Sequence, residues 1–243
     1  MSSAVRISVL GPMAVTVDGV PVDIGPRRQR AVLARLVLAA GHVVSTDRLI
    51  EDLWDAEPPP KALAALQVHV SNLRRVLEPH RRPRSPAQIL VSEPPGYSLR
   101  LPPEAVDAWE FEQLLFAATS SSDPSGRRRL LTQASACWRG DAFGAVSAAQ
   151  WAQAHVARLD ELRLSTVEHL AAADLADGHP DAVVATLMAH TAQHPEREEA
   201  SRLLALAHYR LGRQADALDT LRRVRHYLAE ELGVDPSPAL RDL

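Results

Sequence analysis

A chain of 243 residues with 27 basic and 30 acidic side chains, a net charge of -3 and a single cysteine is long enough for two ordinary domains. It cannot form an intrachain disulfide framework or a multi-cysteine zinc site. No apolar run approaches the roughly 18 residues of a membrane span, and no charged segment followed by a long apolar stretch opens the chain. A cytoplasmic location with no membrane partner is expected. The small total charge hides an asymmetry: residues 1–103 carry 13 basic and 9 acidic groups, whereas residues 104–243 carry 14 and 21. A basic portion beside an acidic one suits a DNA-contacting module joined to a protein-contacting one.

The first 25 residues alternate. Val5 to Leu10, Met13 to Val17 and Val20 to Ile24 predict three short antiparallel strands, with Asp18-Gly19 as a favourable hairpin turn. From Pro26, which can start a helix, the period becomes helical; Val32, Leu33, Leu36 and Val37 make one face and Gly41 ends it. A second helix runs from a hydroxyl cap at Ser45 or Thr46 to Trp54 and stops at Pro58-Pro59-Pro60.

Residues 61–84 hold the only lysine and five arginines against one acid, Glu78. As a helix, the segment places Leu66, Val70, Leu73 and Leu77 on an apolar face about 60° wide. The opposite side carries Lys61, Ala64, Val68, Ser71 and Arg75, flanked by Gln67, Asn72 and Arg74. Small residues let a helix axis sink into a major groove, Arg, Asn and Gln can make paired hydrogen bonds to base edges, and Lys or Arg can neutralise phosphates. A solvated basic face on an ordinary amphipathic helix would show the same pattern. After a loop from Pro79 to Pro86, residues 89–92 and 97–101 predict a closing hairpin around Glu93-Pro94-Pro95-Gly96. Strands, three helices and a hairpin make a winged helix.

Beyond Pro102-Pro103 no strand pattern persists. Helices are predicted near 107–119, 126–138, 147–176, 180–193, 197–211 and 214–232. Gly178 and Gly212 lie 34 residues apart, the period of tetratricopeptide helix pairs, which would put Ala171 and Ala205 at equivalent close-contact positions. The usual Trp is missing from both copies and the closing proline from the second, so a plain helical bundle stays open as the alternative. The fold class expected is mainly α with a small β component: a winged helix-turn-helix over 1–102, then an all-α tetratricopeptide-like repeat domain over 103–243.

Enzyme motifs are not expected: no Gly-rich phosphate loop, no nucleophile elbow and no HxxxH or HExxH histidine pairing is read. The ten histidines are read as surface or capping residues, Cys137 beside Trp138 as buried packing, and Asp160-Glu161 and Glu230-Glu231 as ordinary surface carboxylates. No catalytic residue, cofactor or metal is expected.

Leu66-Gln-Val-His-Val-Ser-Asn-Leu-Arg-Arg75 and Gly96-Tyr-Ser-Leu99 resemble an OmpR-type winged helix. Cys137-Trp-Arg-Gly140, Arg158-Leu-Asp-Glu-Leu-Arg-Leu164, His194-Pro-Glu-Arg-Glu198, Tyr209 to Leu218 and Glu231-Leu-Gly-Val-Asp-Pro236 resemble the bacterial transcriptional activator domain. In this order the two are similar to the Streptomyces antibiotic regulatory protein family, over almost the whole chain. The resemblance implies a transcriptional activator that binds direct repeats near the -35 promoter region as two protomers side by side. It also implies recruitment of RNA polymerase holoenzyme with its sigma factor, and secondary-metabolite genes as targets. By position it implies Ser71, Asn72 and Arg75 at the groove or its edge, with Asn72 standing where such winged helices often carry arginine. Lys61, Gln67 and Arg74 would then make phosphate or flanking contacts, and Arg100 on the wing a phosphate contact, while Tyr97 packs. Arg27 and Arg28 are backbone-contact candidates, a solvated helix end being the alternative. Asp55, Glu57, Pro58 and Pro59 would form a polymerase-facing loop, a rigid connector being the alternative. Two other readings remain: a helical-repeat interaction scaffold, and the amino-terminal part of a larger multidomain regulator.

Overall fold

The alternating start folds as an antiparallel meander, β1 (Val5–Ser8), β2 (Ala14–Val17) and β3 (Val20–Val22), in a computed structural model that describes residues 4–54 and 57–243. Pairing of Val5 with Val17 and Ile7 with Val15 collects four buried side chains on one face. Asp18 and Gly19 both have positive φ, as a type I′ turn between twisted strands requires.

Next come α1 (Arg27–Leu38), β4 (Val44–Ser45), α2 (Thr46–Trp54) and α3 (Ala62–Leu77), then a hairpin of β5 (Leu90–Glu93) and β6 (Gly96–Leu99). Ser45, not Thr46, caps α2: its hydroxyl accepts the Arg48 amide at 3.2 Å, while Thr46 donates to the Pro95 carbonyl. The sequence pattern misses β4 because two residues carry no period, yet this strand completes a sheet of order β4-β6-β5. That pairing explains Gly96: a Cβ there would stand 1.8 Å from the Val44 carbonyl oxygen. Any side chain would push β6 off β4.

The remaining helices are α4 (Asp107–Ser120), α5 (Pro124–Ala136), α6 (Gln150–Ala176), α7 (Pro180–Gln193), α8 (Glu198–Arg210), α9 (Gln214–Tyr227) and α10 (Pro238–Arg241), with a π turn at Leu228–Leu232. The chain divides into two compact units, Met1–Leu114 with Gln133–Leu162, and Leu115–Thr132 with Arg163–Leu243. These cuts fall inside α4, α5 and α6, so spatial grouping differs from the chain-order division drawn at Pro102-Pro103.

In the first unit a buried carboxylate ties distant segments together. Asp107, 2 % exposed, accepts the Val9 amide at 2.8 Å, the Leu10 amide at 3.2 Å and the Arg139 guanidinium at 3.1 Å. Burial pushes this carboxyl up from its ordinary value, against the pull of the two amides and Arg139. Cys137 is half-buried, with its thiol pushed up to about 11, chiefly by burial, which leaves little reactive thiolate at neutral pH.

The second unit carries the repeat. At both Gly178 and Gly212 the chain leaves a helix through the same motif: His179 donates to Asp174 and Gly178 to Leu175, as Arg213 does to His208 and Gly212 to Tyr209. The two glycines have φ of +81° and +72°, and Ala171 and Ala205 are buried. Ala171, Leu175, Val183, Val184, Leu187, Ala200, Leu203, Leu204 and Ala207 form one continuous core. Two histidines expected at the surface are instead buried, His190 and His208. His190 faces Glu168, which Arg197 also bonds; burial raises the Glu168 carboxyl, but these two partners overcome it and hold it at about 2. His190 and His194 sit four residues apart with ring centroids 5.4 Å apart, an HxxxH pair that corrects the expectation of none. Among the described residues no group of three or more metal-ligating side chains forms, and no helix is long and apolar enough to cross a membrane.

Candidate nucleic-acid interface

Helix α3 is amphipathic as expected, with Ala62, Leu66, Val70, Leu73 and Leu77 buried against the first unit's core. The opposite stripe, Lys61, Ala64, Gln67, Val68, Ser71 and Arg75, is exposed. It runs about 21 Å from Lys61 to Arg75 at 1.5 Å per residue. Val68, 57 % exposed, and Ala64 keep the middle of the stripe shallow and apolar, a surface able to meet a thymine methyl group.

The flanking residues lie otherwise than a helical wheel implies. Arg74 points sideways: its Nε donates to the Leu90 carbonyl and its Nη2 to the Ser92 hydroxyl, both at 2.8 Å, and the guanidinium lies 5.8 Å from the Tyr97 ring centre. Burial draws its pKa down from the ordinary value. Arg74 therefore clamps α3 to the wing, and Tyr97 packs under that clamp. Asn72 is half-buried; its amide donates to Gln29 Oε1 at 3.2 Å and accepts from Arg75 Nη2 at 2.7 Å. Gln29, on the buried side of α1, escaped the sequence reading because a glutamine among apolar residues carries no motif. His69 is drawn below its ordinary value by burial and then by Arg28.

Other candidates sit apart from the stripe. Arg27 and Arg28 are exposed at the start of α1, and Arg28 lies over the Trp54 ring at 5.6 Å. Arg100, past the end of β6, is exposed and paired with Glu93 at 2.9 Å. Glu57, Pro58 and Pro59 are exposed, whereas Asp55 lies outside the described residues.

A three-helix core that exposes one face of its third helix, closed by a β-hairpin wing and followed in sequence by helical repeats, defines a winged-helix transcriptional regulator. Comparison with known proteins narrows the class. Residues 21–99 match the family described as transcriptional regulatory protein, C terminal, and residues 106–243 match the bacterial transcriptional activator domain. The regulatory protein AfsR of Streptomyces coelicolor is 41 % identical over 246 residues, covering 100 % of this chain and 24 % of AfsR. The transcriptional regulator RedD of the same organism is 35 % identical over 98 % of this chain and 68 % of RedD. A structure described as Mycobacterium tuberculosis EmbR in complex with low affinity phosphopeptide superposes with a TM-score of 0.89 at 36 % identity, covering 99 % of this chain and 64 % of EmbR. The chain belongs to the Streptomyces antibiotic regulatory protein family of transcriptional regulators, with an OmpR-type winged helix and a bacterial transcriptional activator domain. It spans about a quarter of AfsR and, in sequence, 61 % of EmbR. RedD and EmbR are named as regulators of transcription, and AfsR as a regulatory protein.

Proposed function

We propose that the chain is a sequence-specific DNA-binding transcriptional activator, with residues 1–102 as its DNA-binding part and residues 103–243 as its activator part. In this reading α3 enters the major groove of direct repeats near the -35 region, one protomer per repeat. Ser71, Asn72 and Arg75 lie at the base edges or their rim, and Lys61, Gln67, Arg27, Arg28 and Arg100 meet phosphates or flanks. Arg74 acts at the flank through the wing it holds. The loop of Asp55, Glu57, Pro58 and Pro59 faces RNA polymerase holoenzyme and its sigma factor, and the regulated genes serve secondary metabolism, including antibiotic biosynthesis.

One observation carries the reading: α3 leaves a continuous stripe of cationic, hydrogen-bonding and small side chains exposed while its other face is anchored. Gel-shift titration against a direct-repeat promoter fragment and a scrambled duplex tests it. Arg75→Ala should cost about 1–3 kcal/mol of discrimination between the two, and Lys61→Ala should weaken both complexes alike and lower the salt slope by about one. Equal affinity of the unmutated chain for both duplexes would sink the proposal.

A second reading treats the helical unit as the working surface for a protein partner. It is favoured by Tyr209, Leu211 and Leu218, large apolar side chains exposed beside the Gly212 turn. Stable capture of a protein partner with no DNA complex at moderate salt would select it.

A further inference from the structure

The hydrogen-bond chain beneath the exposed stripe has only one possible direction. The Ile24 carbonyl can only accept, so Gln29, 3 % exposed, must turn Nε2 toward it, at 2.7 Å. Its Oε1 then faces α3 and can only accept, so Asn72 must present Nδ2, at 3.2 Å. That leaves Asn72 Oδ1 facing outward, where it accepts Arg75 Nη2 at 2.7 Å. A guanidinium can only donate. Donors therefore point inward at every step, and an acceptor-only group at one end and a donor-only group at the other forbid a flip of either amide. Such aligned chains polarise and strengthen one another.

We propose that Gln29 and Asn72 are positioning residues that fix the direction of Arg75, and that Arg75 so held reads a guanine in the operator. The inference rests on the DNA-binding reading above and changes who selects the base within it. Asn72 spends one amide proton on Gln29 and one oxygen lone pair on Arg75, so it is not free to rotate into a paired contact with adenine. Arg75 spends one of five N–H groups and keeps the rest of its fork for the O6 and N7 acceptors of guanine. A long side chain tethered before binding loses less rotamer freedom on binding, so the tether sharpens discrimination at one base pair without adding a DNA contact.

The test uses the full chain and a panel of direct-repeat duplexes, each with one base pair of the half-site replaced. Gln29→Met keeps the length of the side chain and removes its amide; Asn72→Ala, at a half-exposed helical position, breaks the same chain where folding is less at risk. Each variant should lose about tenfold of its discrimination at the same single G·C pair that Arg75→Ala affects, and the buried Gln29→Met should do so with unaltered salt slope and unaltered affinity for scrambled DNA. Combined with Arg75→Ala, neither should add a further loss at that pair. Folding is checked by circular dichroism and thermal melting. A folded Asn72→Ala or Gln29→Met variant with an unchanged base-preference profile, or losses that add to that of Arg75→Ala, would overturn the relay alone. No specific binding by the unmutated chain would overturn the relay and the DNA-binding function together.

Discussion

The two units, each with an aliphatic core, differ in what ties their distant segments together. The first is held by directional polar links between residues far apart in sequence: Asp107 to the amides of Val9 and Leu10, Arg74 to the wing, Gln29 to Asn72. The second is held mainly by small and aliphatic side chains at repeat spacing, with buried carboxylates at Glu168 and Asp174 paired to Arg197 and Arg128. The difference fits the roles proposed for each. A helix that reads DNA has to be aimed, and aim requires links with direction. Stacked helix pairs need only fit, and fit comes from shape.

The sharpest way to break the first unit is at its buried carboxylate. Asp107→Ala strands two amides and Arg139 at once, and should cost about 3–5 kcal/mol. Hydrogen exchange should show the loss in β1 and α4 and not in α7. Asp107→Asn, which keeps one acceptor oxygen, should cost less. In the second unit the corresponding blow is apolar: Leu187→Ala at a fully buried position should cost about 3 kcal/mol through its cavity. Faster exchange should appear in α7 and α8, with the β1 amides unmoved. Shared losses in both cases would erase the distinction between the units.

Glu168 is where the second unit borrows the first unit's method. Its carboxyl is held at about 2 against an ordinary 4.5. A group whose folded pKa is depressed stabilises above its unfolded value, and that contribution is lost as pH falls toward the folded one. Glu168→Gln should therefore cost about 2 kcal/mol at pH 7, with the gap to the unmutated chain closing between pH 4.5 and 2. Thermal melting across that range measures it; a gap independent of pH would mean that shape alone sets the cost.

Periodicity predicted nearly every helix because burial of one face imposes it, and Leu66, Val70, Leu73 and Leu77 are where the pattern says. Two kinds of feature escaped. The β4 strand is two residues long, and Asp107, Gln29 and Arg139 act through partners distant in sequence, a relation that no local period encodes. At the candidate site the exposed stripe was legible for the same reason as the core, since it is the core's complement. The sideways residues were not. A wheel assigns Asn72 and Arg74 an angle, but Gln29 and the Leu90 carbonyl decide where their polar ends go.

The mildest test addresses whether the repeat is real at the level of backbone geometry. Gly178 and Gly212 share a left-handed φ and the same pair of turn hydrogen bonds, and a Cβ at either would meet nothing within 4 Å. Substitution by alanine therefore probes conformation without steric clash. A left-handed residue with a side chain costs about 1–2 kcal/mol, offset in part by the smaller entropy of an unfolded chain that lacks a glycine. Gly178→Ala and Gly212→Ala should each cost about 1 kcal/mol by thermal melting, equal within a few tenths, because 34 residues of different sequence converge on one turn. Gly19→Ala, in the first unit's type I′ turn, has open space too and serves as the external standard. If Gly212→Ala were neutral while Gly178→Ala was not, the second turn would be a frayed end of the unit, and the kinship of the two helix pairs would rest on Ala171 and Ala205 alone.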